Sequence, residues 1–453
     1  MSRLLRLALI AGLSSCTAAT RPCPCPEPAV PPSLPPSVTT LAPRRVAPAG
    51  PSRHDLATES ARVTVAAVGD VLPHVSVKMS ADLANAKNDK GESTNHEGWD
   101  ALFADVAPDL SAADLAVANL ETPVSPSGDK GTVEYHFNAT APLLDALKSA
   151  GIRLVSFANN HVFDQGKKGF AESLDALDKA GIPFYGAGRT QQEAVKGLRI
   201  EKNGVKIAFL GASQFFNGKE GLVTDPKQPQ ANKTDDPAAM AEAVKASRKE
   251  ADFVIVSAHW GAEYQVRPRE SEVKLAHELF EAGADVILGT HPHVLQPLEI
   301  YEAQDGRTCL VVYSLGNFIS NQSFQYQHGV SPERIGETRD GAILRFSIAR
   351  RDYGSGGVRA ELADVSYLPR WTVNDRVVKG DKEEITIRTL EIEHALKAAR
   401  QELDAAVAAL PKAPSAGDQA RIVRLKKQLA LYERRREIIE ARLGASYAVE
   451  HLQ

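Results

Sequence analysis

From Arg62 onward, short continuous apolar runs alternate with stretches of helical periodicity. The runs at 63–68, 114–118, 152–157, 253–257, 284–288 and 310–313 are too short for helices and lack polar alternation, which predicts strands buried on both faces of a sheet. Between them, 140–150, 169–180 and 270–282 carry apolar residues at helical spacing. Strands alternating with helices predict an α/β fold, here over a domain at 61–370. Residues 198–200 and 206–210, joined by Asn203-Gly204, read as a hairpin with a type I′ turn. A second hairpin, 341–348 with 358–368, is expected to close the domain near Arg370. After about Glu384 the pattern changes. Leu390, Leu396, Ala399 and Leu403 recur at helical spacing, 411–418 breaks the chain, and Leu425, Leu429, Tyr432 and Ile439 resume it. That predicts an antiparallel helical hairpin over 384–445 of coiled-coil character, with Arg434, Arg435 and Arg436 on a solvated face.

The first 60 residues do not follow this pattern. Of 27 prolines, 11 fall between Pro22 and Pro51, so 16–60 is expected to be an extended spacer that cannot bury enough apolar surface to order itself. Ahead of it, MSRLLRLALIAGLSSC places Arg3 and Arg6 before a short apolar run and small residues, the layout of a secretory signal at 1–15. Leu13-Ser14-Ser15-Cys16 resembles a bacterial lipobox, in which the cysteine thiol is alkylated with diacylglycerol. With each buried CH₂ contributing roughly 0.8 kcal/mol, more than one acyl chain on Cys16 gives stable anchoring. The expectation is an exported lipoprotein of the cell envelope, its globular domain outside the cytoplasm. Cys309 sits in an apolar run and reads as a small buried hydrophobe. A net charge of -4 over 453 residues excludes a basic nucleic-acid binder, and nucleic acid is not an expected partner.

The polar residues that interrupt the strands carry the chemistry. VAAVGD ends in Asp70, LAVANLE in Asn119 and Glu121, RLVSFANNH in Asn159, Asn160 and His161, VIVSAHWG in His259, and VILGTHPH in His291 and His293. Ligand crevices of α/β sheets lie at the carboxyl ends of the strands, so residues spread over more than 220 positions are expected to meet at one mouth. Carboxylates, an amide and imidazoles together suit borderline divalent ions such as Mn, Zn or Fe, and the set is large enough for one or two. His291-Pro292-His293 is the strongest single pair, because residues two apart in extended chain point the same way. Asp164 and Gly166 are expected to cap and shape the start of the following helix. Asn317, at another strand end, is expected to line the mouth. Arg267 and Arg269 either contact an anionic polymer or simply solvate the surface.

The blocks GDVL, DLAVANLETPVS, FNATAPLLDAL, SFANNHVFDQG, HWGAEY, AGADVILGTHPHVLQPLEIY and YSLGNF, in this order between Val63 and Leu368, resemble the CapA family, named for poly-γ-glutamate capsule synthesis. That family is similar to the calcineurin-like metallophosphoesterases, so the resemblance implies a two-sheet sandwich flanked by helices. It also implies metal-ligand roles for Asp70, Glu121, Asn160, His259, His291 and His293. His161 is implied as the proton donor to a leaving group. Apart from the resemblance, Asn119, Asn159, Asn317 and Arg267 are candidate substrate contacts by their positions in the sequence. One position departs from the metallophosphoesterase pattern Asp-x-His: Asp70-Val71-Leu72 places an apolar side chain at a usual ligand position. His74 substitutes only if its loop folds back; otherwise it is a surface residue.

Two functions follow as expectations. One is a metal-dependent hydrolase or transferase acting on a phosphoester or γ-glutamyl amide of an anionic polymer such as poly-γ-glutamate. The other is a non-catalytic accessory that binds the polymer for a membrane synthase or exporter, which the Leu72 departure favours.

Overall fold

A computed structural model describes residues 57–447 apart from 134 and 235. The signal, Cys16, Cys23, Cys25 and nearly all of the Pro-rich spacer lie outside the described residues. The strands, in chain order, begin with β1 (Thr58–Val71), β2 (Leu115–Leu120), β3 (Leu154–Ser156), β4 (Phe184–Tyr185) and β5 (Ala187–Gly188). Next come β6 (Leu198–Lys202), β7 (Val205–Ser213), β8 (Gln230–Ala231), β9 (Phe253–His259) and β10 (Val286–Thr290). The remainder are β11 (Leu295–Glu302), β12 (Thr308–Leu315), β13 (Asn317–Ile319), β14 (Asp340–Asp352), β15 (Val358–Lys379) and β16 (Lys382–Glu391).

Two sheets carry the architecture. The larger runs β16-β15-β14-β1-β2-β3-β4 with β13 beside β1, and the second runs β11-β12-β10-β9-β7-β6. The central strands of both are parallel, whereas β14, β15 and β16 extend the larger sheet in antiparallel pairs. Strand side chains alternate between faces, and this sorts the core into layers. In β1, Val63, Val65 and Ala67 join the apolar core between the sheets, while Ala66 and Val68 pack under helices. Likewise Phe253 and Ile255 of β9 face the inter-sheet core, and Val254, Val256 and Ala258 meet the helices on the far side. The continuous apolar runs are therefore strands wetted on neither face, and the result is the two-sheet sandwich flanked by helices that the resemblance implied. The Asn203-Gly204 turn is as expected, with φ of 51° and 75° joining β6 to β7. Cys309 is buried in β12 with a free thiol.

The C-terminal region departs from expectation. The larger sheet does not close near Arg370: β15 continues to Lys379, and 382–391 is β16 rather than helix. Ile385 and Ile387 alternate with Glu384, Thr386 and Arg388, a strand period that merges into the helical spacing starting at Leu390. The helices span Ile392–Ala408, capped by the Glu391 carboxylate, and Ala416–Leu443, opened by a Ser415/Asp418 capping box. They pack on each other and on the sheet, and Leu396, Ala399, Tyr432, Ile439 and Leu443 complete the inter-sheet core. Arg435 is not on a solvated face. It is 0% exposed, its Nε donates to Asp340 Oδ1 at 2.8 Å and its Nη1 to Glu333 Oε2 at 2.7 Å, between the rings of Tyr326 and Trp371. Arg434 and Arg436 do pair at the surface, with Glu437 and Glu393.

Candidate metal centre

The polar strand ends meet at the carboxyl ends of the central strands of the two sheets. In the larger sheet Asp70 is in register with Asn119 and with Asn317, and in the second sheet His259 is in register with Thr290. Gly69 permits the approach on the β1 side, since a Cβ there would lie 1.8 Å from the Gly316 carbonyl oxygen. The backbone after β10 then carries His291 and His293 to the same cluster, with φ of 97° and 60°. Expected as an extended dipeptide, this pair instead occupies left-handed backbone. Such strain in non-glycine residues persists where surrounding contacts enforce it, commonly at functional sites.

Asp70, Glu121, His259, His291 and His293 are all buried. One ligand atom from each of Asp70, Glu121 and His293 lies within 4.8 Å of the others, and the same holds for Glu121, His259 and His291. Glu121 thus belongs to both groups. Asn160 joins the second, with Oδ1 2.9 Å from His259 Nε2. Behind the cluster, Asn119 Nδ2 donates to Asp70 Oδ1 at 2.7 Å, and His293 Nδ1 donates to Asp70 Oδ2 at 3.1 Å.

The electrostatics suit a cation. Burial, then the neighbouring Asp70 charge, pushes the Glu121 carboxyl well above its usual range. Burial, then the other imidazoles, lowers His291 to about 2 and His259 well below its ordinary value, so both rings stay neutral as metal ligation requires. Glu121 Oε1 and His291 Nδ1 are buried without a hydrogen-bond partner. Two unsatisfied acceptors within one cluster of carboxylates and neutral imidazoles fit a divalent ion.

His161, nearly buried, sits beside this cluster with Nδ1 2.8 Å from Asp164 Oδ2. Asp164 is not the helix cap expected of it. Its Oδ2 also accepts from Phe137 N, and its Oδ1 pairs with Lys219 Nζ at 2.7 Å. Burial works to raise the Asp164 carboxyl, but the hydrogen bonds and charges of His161 and Lys219 prevail and hold it below its usual range. Lys219 comes from 55 positions away and carries no motif that marks it.

The expected substrate contacts fall in different places. Asn119, Asn159 and Asn317 are buried and serve the scaffold. Asn159 Nδ2 donates to Asn119 Oδ1 and to Leu120 O, while its Oδ1 accepts from His161 N. Asn317 Nδ2 donates to the carbonyls of His293 and Thr338. None of the three faces solvent, so a direct substrate contact does not follow from their placement. Arg267 is exposed on the loop after β9, whereas Arg269 is tied to Glu272 and Gln214. His74 is no surface residue: its ring packs edge-on against Phe137, which packs against His161, and burial lowers it to about 4.

The sequence model described as "Bacterial capsule synthesis protein PGA_cap" matches residues 64–322, more than half of the chain. The chain belongs to this family. Within the capsule-synthesis family, the capsule biosynthesis protein CapA of Bacillus anthracis is 30% identical over 304 residues, 66% of this chain and 66% of that protein. The PGA biosynthesis protein CapA of Bacillus subtilis is 31% identical over 264 residues, covering 58% and 64%. A probable polyglutamine synthesis accessory protein of Mycobacterium tuberculosis is 29% identical over 228 residues, covering 47% and 57%. The chain thus spans just under two thirds of the two Bacillus proteins. The family match takes in every strand-end residue of the cluster and stops before β14, β15, β16 and the two C-terminal helices. Among the described residues, no helix is long and apolar enough to cross a membrane.

Proposed function

We propose that this protein is a lipid-anchored envelope enzyme of capsule polymer synthesis or processing, which hydrolyses or transfers a phosphoester or γ-glutamyl amide of an anionic polymer such as poly-γ-glutamate. The observation that carries this reading is Glu121, a buried carboxylate shared by two groups of donors, with one oxygen unpartnered. Asp70, Glu121 and His293 would hold one divalent ion, and Glu121, Asn160, His259 and His291 a second. Bound there, such ions polarise a phosphoryl or carbonyl group and make water acidic enough to deprotonate near neutral pH.

The chain's own groups supply the rest. Asn119 holds Asp70 by hydrogen bond, which fixes the carboxylate's orientation before any ligand arrives. Asp164 holds His161 through Nδ1, leaving Nε2 to donate a proton to the leaving atom. Lys219 keeps Asp164 ionised and so keeps it an acceptor. Arg267, exposed on the loop after β9, would contact the anionic chain.

A second reading, a non-catalytic polymer-binding or export accessory to a membrane synthase, draws support from Leu72 and from the word "accessory" in a relative's name. The oriented His161–Asp164 pair favours catalysis, because binding alone needs no aimed proton donor. The deciding experiment measures metal content and turnover of phosphodiester and γ-glutamyl substrates by the purified full chain. In His161→Ala, turnover is expected to fall by about 100-fold or more with metal retained. In His293→Ala, both are expected to fall. A metal-loaded wild type that turns over neither substrate class while retaining polymer gives the role to the accessory reading.

A further inference from the structure

The two donor groups are unequal. His259, His291, Asn160 and Glu121 make four donors, whereas Asp70, Glu121 and His293 make three, because Leu72 stands where the resemblance implied a histidine. Among the described residues, His74 belongs to no such group. A carboxylate outside the expected set does: one oxygen of Glu263 lies within 4.8 Å of ligand nitrogens of both His291 and His293. Its charge also reaches Glu121, where it helps to raise that carboxyl.

Glu263 does not hang over the histidines by accident of a loose side chain. Its loop is stitched to theirs: Trp260 N donates to Thr290 O at 3.2 Å, Tyr264 N to Pro292 O at 2.8 Å, and Gln296 Nε2 to Gln265 O at 2.7 Å. Gly261 and Tyr264 take φ of 91° and 63° on either side of it, matching the left-handed backbone of His291 and His293 opposite. Two loops, each bent out of ordinary backbone and tied to the other, bring one carboxylate onto two imidazoles. The same His291 carries a buried ring nitrogen, Nδ1, without a hydrogen-bond partner.

We propose that Glu263 is a metal ligand, acting with His293 at the ion shared by Asp70 and Glu121, in place of the donor that Leu72 does not supply. The proposal rests on the metal-dependent reading of the cluster and adds a residue to it. Because Glu263 is exposed and the other ligands are buried, its ion is the weaker and more exchangeable of the two.

The test counts ions and does not depend on turnover. The full chain, stripped with chelator, is titrated with Mn²⁺, and bound metal is measured by equilibrium dialysis and by electron paramagnetic resonance, which separates spin-coupled pairs from single ions. Wild type is expected to bind two Mn²⁺ and give a coupled signal. Glu263→Gln is expected to keep the tighter ion, weaken the other by about 10-fold or more and lose the coupling, and Glu263→Asp to retain part of it. An unchanged thermal midpoint of the metal-free variant separates this from misfolding. Two ions with unchanged affinities in Glu263→Gln overturn the proposal and leave the metal-dependent reading intact. A single ion in wild type also overturns the proposal alone, and no ion in wild type overturns both.

Discussion

Glu172 shows how a single carboxylate fixes the segment that follows Glu121, the candidate ligand common to both donor groups. It accepts from Ser125 Oγ at 2.6 Å, Ser127 Oγ at 2.6 Å and Ser127 N at 3.2 Å, and the two hydroxyl bonds hold it down to about 2. The depressed folded value sets the sign: the unfolded carboxyl takes a proton near its ordinary value while the folded one does not. Its stabilisation is therefore complete at neutral pH and is lost as pH falls from about 4.5 towards 2. Glu172→Gln should lower the thermal midpoint at pH 7 relative to wild type, and the gap should close as the scans approach pH 2; a gap independent of pH contradicts the assignment. Residues of this kind are hard to read in a sequence. Asp70, Glu121, His259 and His293 are legible because each lies at or just beyond the end of a buried apolar strand, where a polar group needs a reason. Asp164 lies near a helix start and so reads as a cap, since nothing in NNHVFDQG shows that Phe137 and Lys219 close around it. Glu263 sits on an exposed loop, where a carboxylate needs no explanation until the fold sets two imidazoles beside it.

Strands are legible where a continuous apolar run serves two cores at once, and illegible where strand and helical periods overlap. β16 reads as the start of a helix because Leu390 and Ile392 belong to a helical spacing, while Ile385 and Ile387 keep the strand period. β13 has only three residues and offers no pattern at all, yet it carries Asn317 into register with Asp70. The seam between β1 and the turn into β13 depends on an absent side chain. A Cβ on Gly69 would meet the Gly316 carbonyl oxygen at 1.8 Å, against rigid backbone on both sides. Gly69→Ala is expected to cost roughly 3 kcal/mol or more in urea unfolding, because the backbone must move apart to admit the methyl group. Gly221→Ala, with nothing within 4 Å of its Cβ, is the matched control and should stay within about 0.5 kcal/mol. Similar losses in the two variants would show that the seam is not tight.

At the scale of the molecule, the C-terminal helices are part of the sandwich and not an appendage to it. Arg435 neutralises Asp340 inside the protein, and Arg442 reaches Glu337 at 2.9 Å in the same segment. Between those acids, the Thr338 carbonyl accepts from Asn317 Nδ2, which also holds the backbone of His293. A continuous set of contacts thus runs from the last long helix to a candidate ligand. Removing one member of a buried pair leaves an uncompensated charge, so Arg435→Met should destabilise by about 3–5 kcal/mol. Arg434→Met, at the surface, should change little; equal effects would place Arg435 outside the core. The helical spacing was readable from sequence, but the burial of one arginine among three was not, since neighbours in a run of like charges differ only in which way the helix turns them. The pairing also has a consequence in time. Asp340 leaves the ribosome 95 residues ahead of the arginine that neutralises it. A chain that ends between β16 and the last helix therefore presents a complete sheet with an uncovered core and a stranded carboxylate, a ready target for proteolysis.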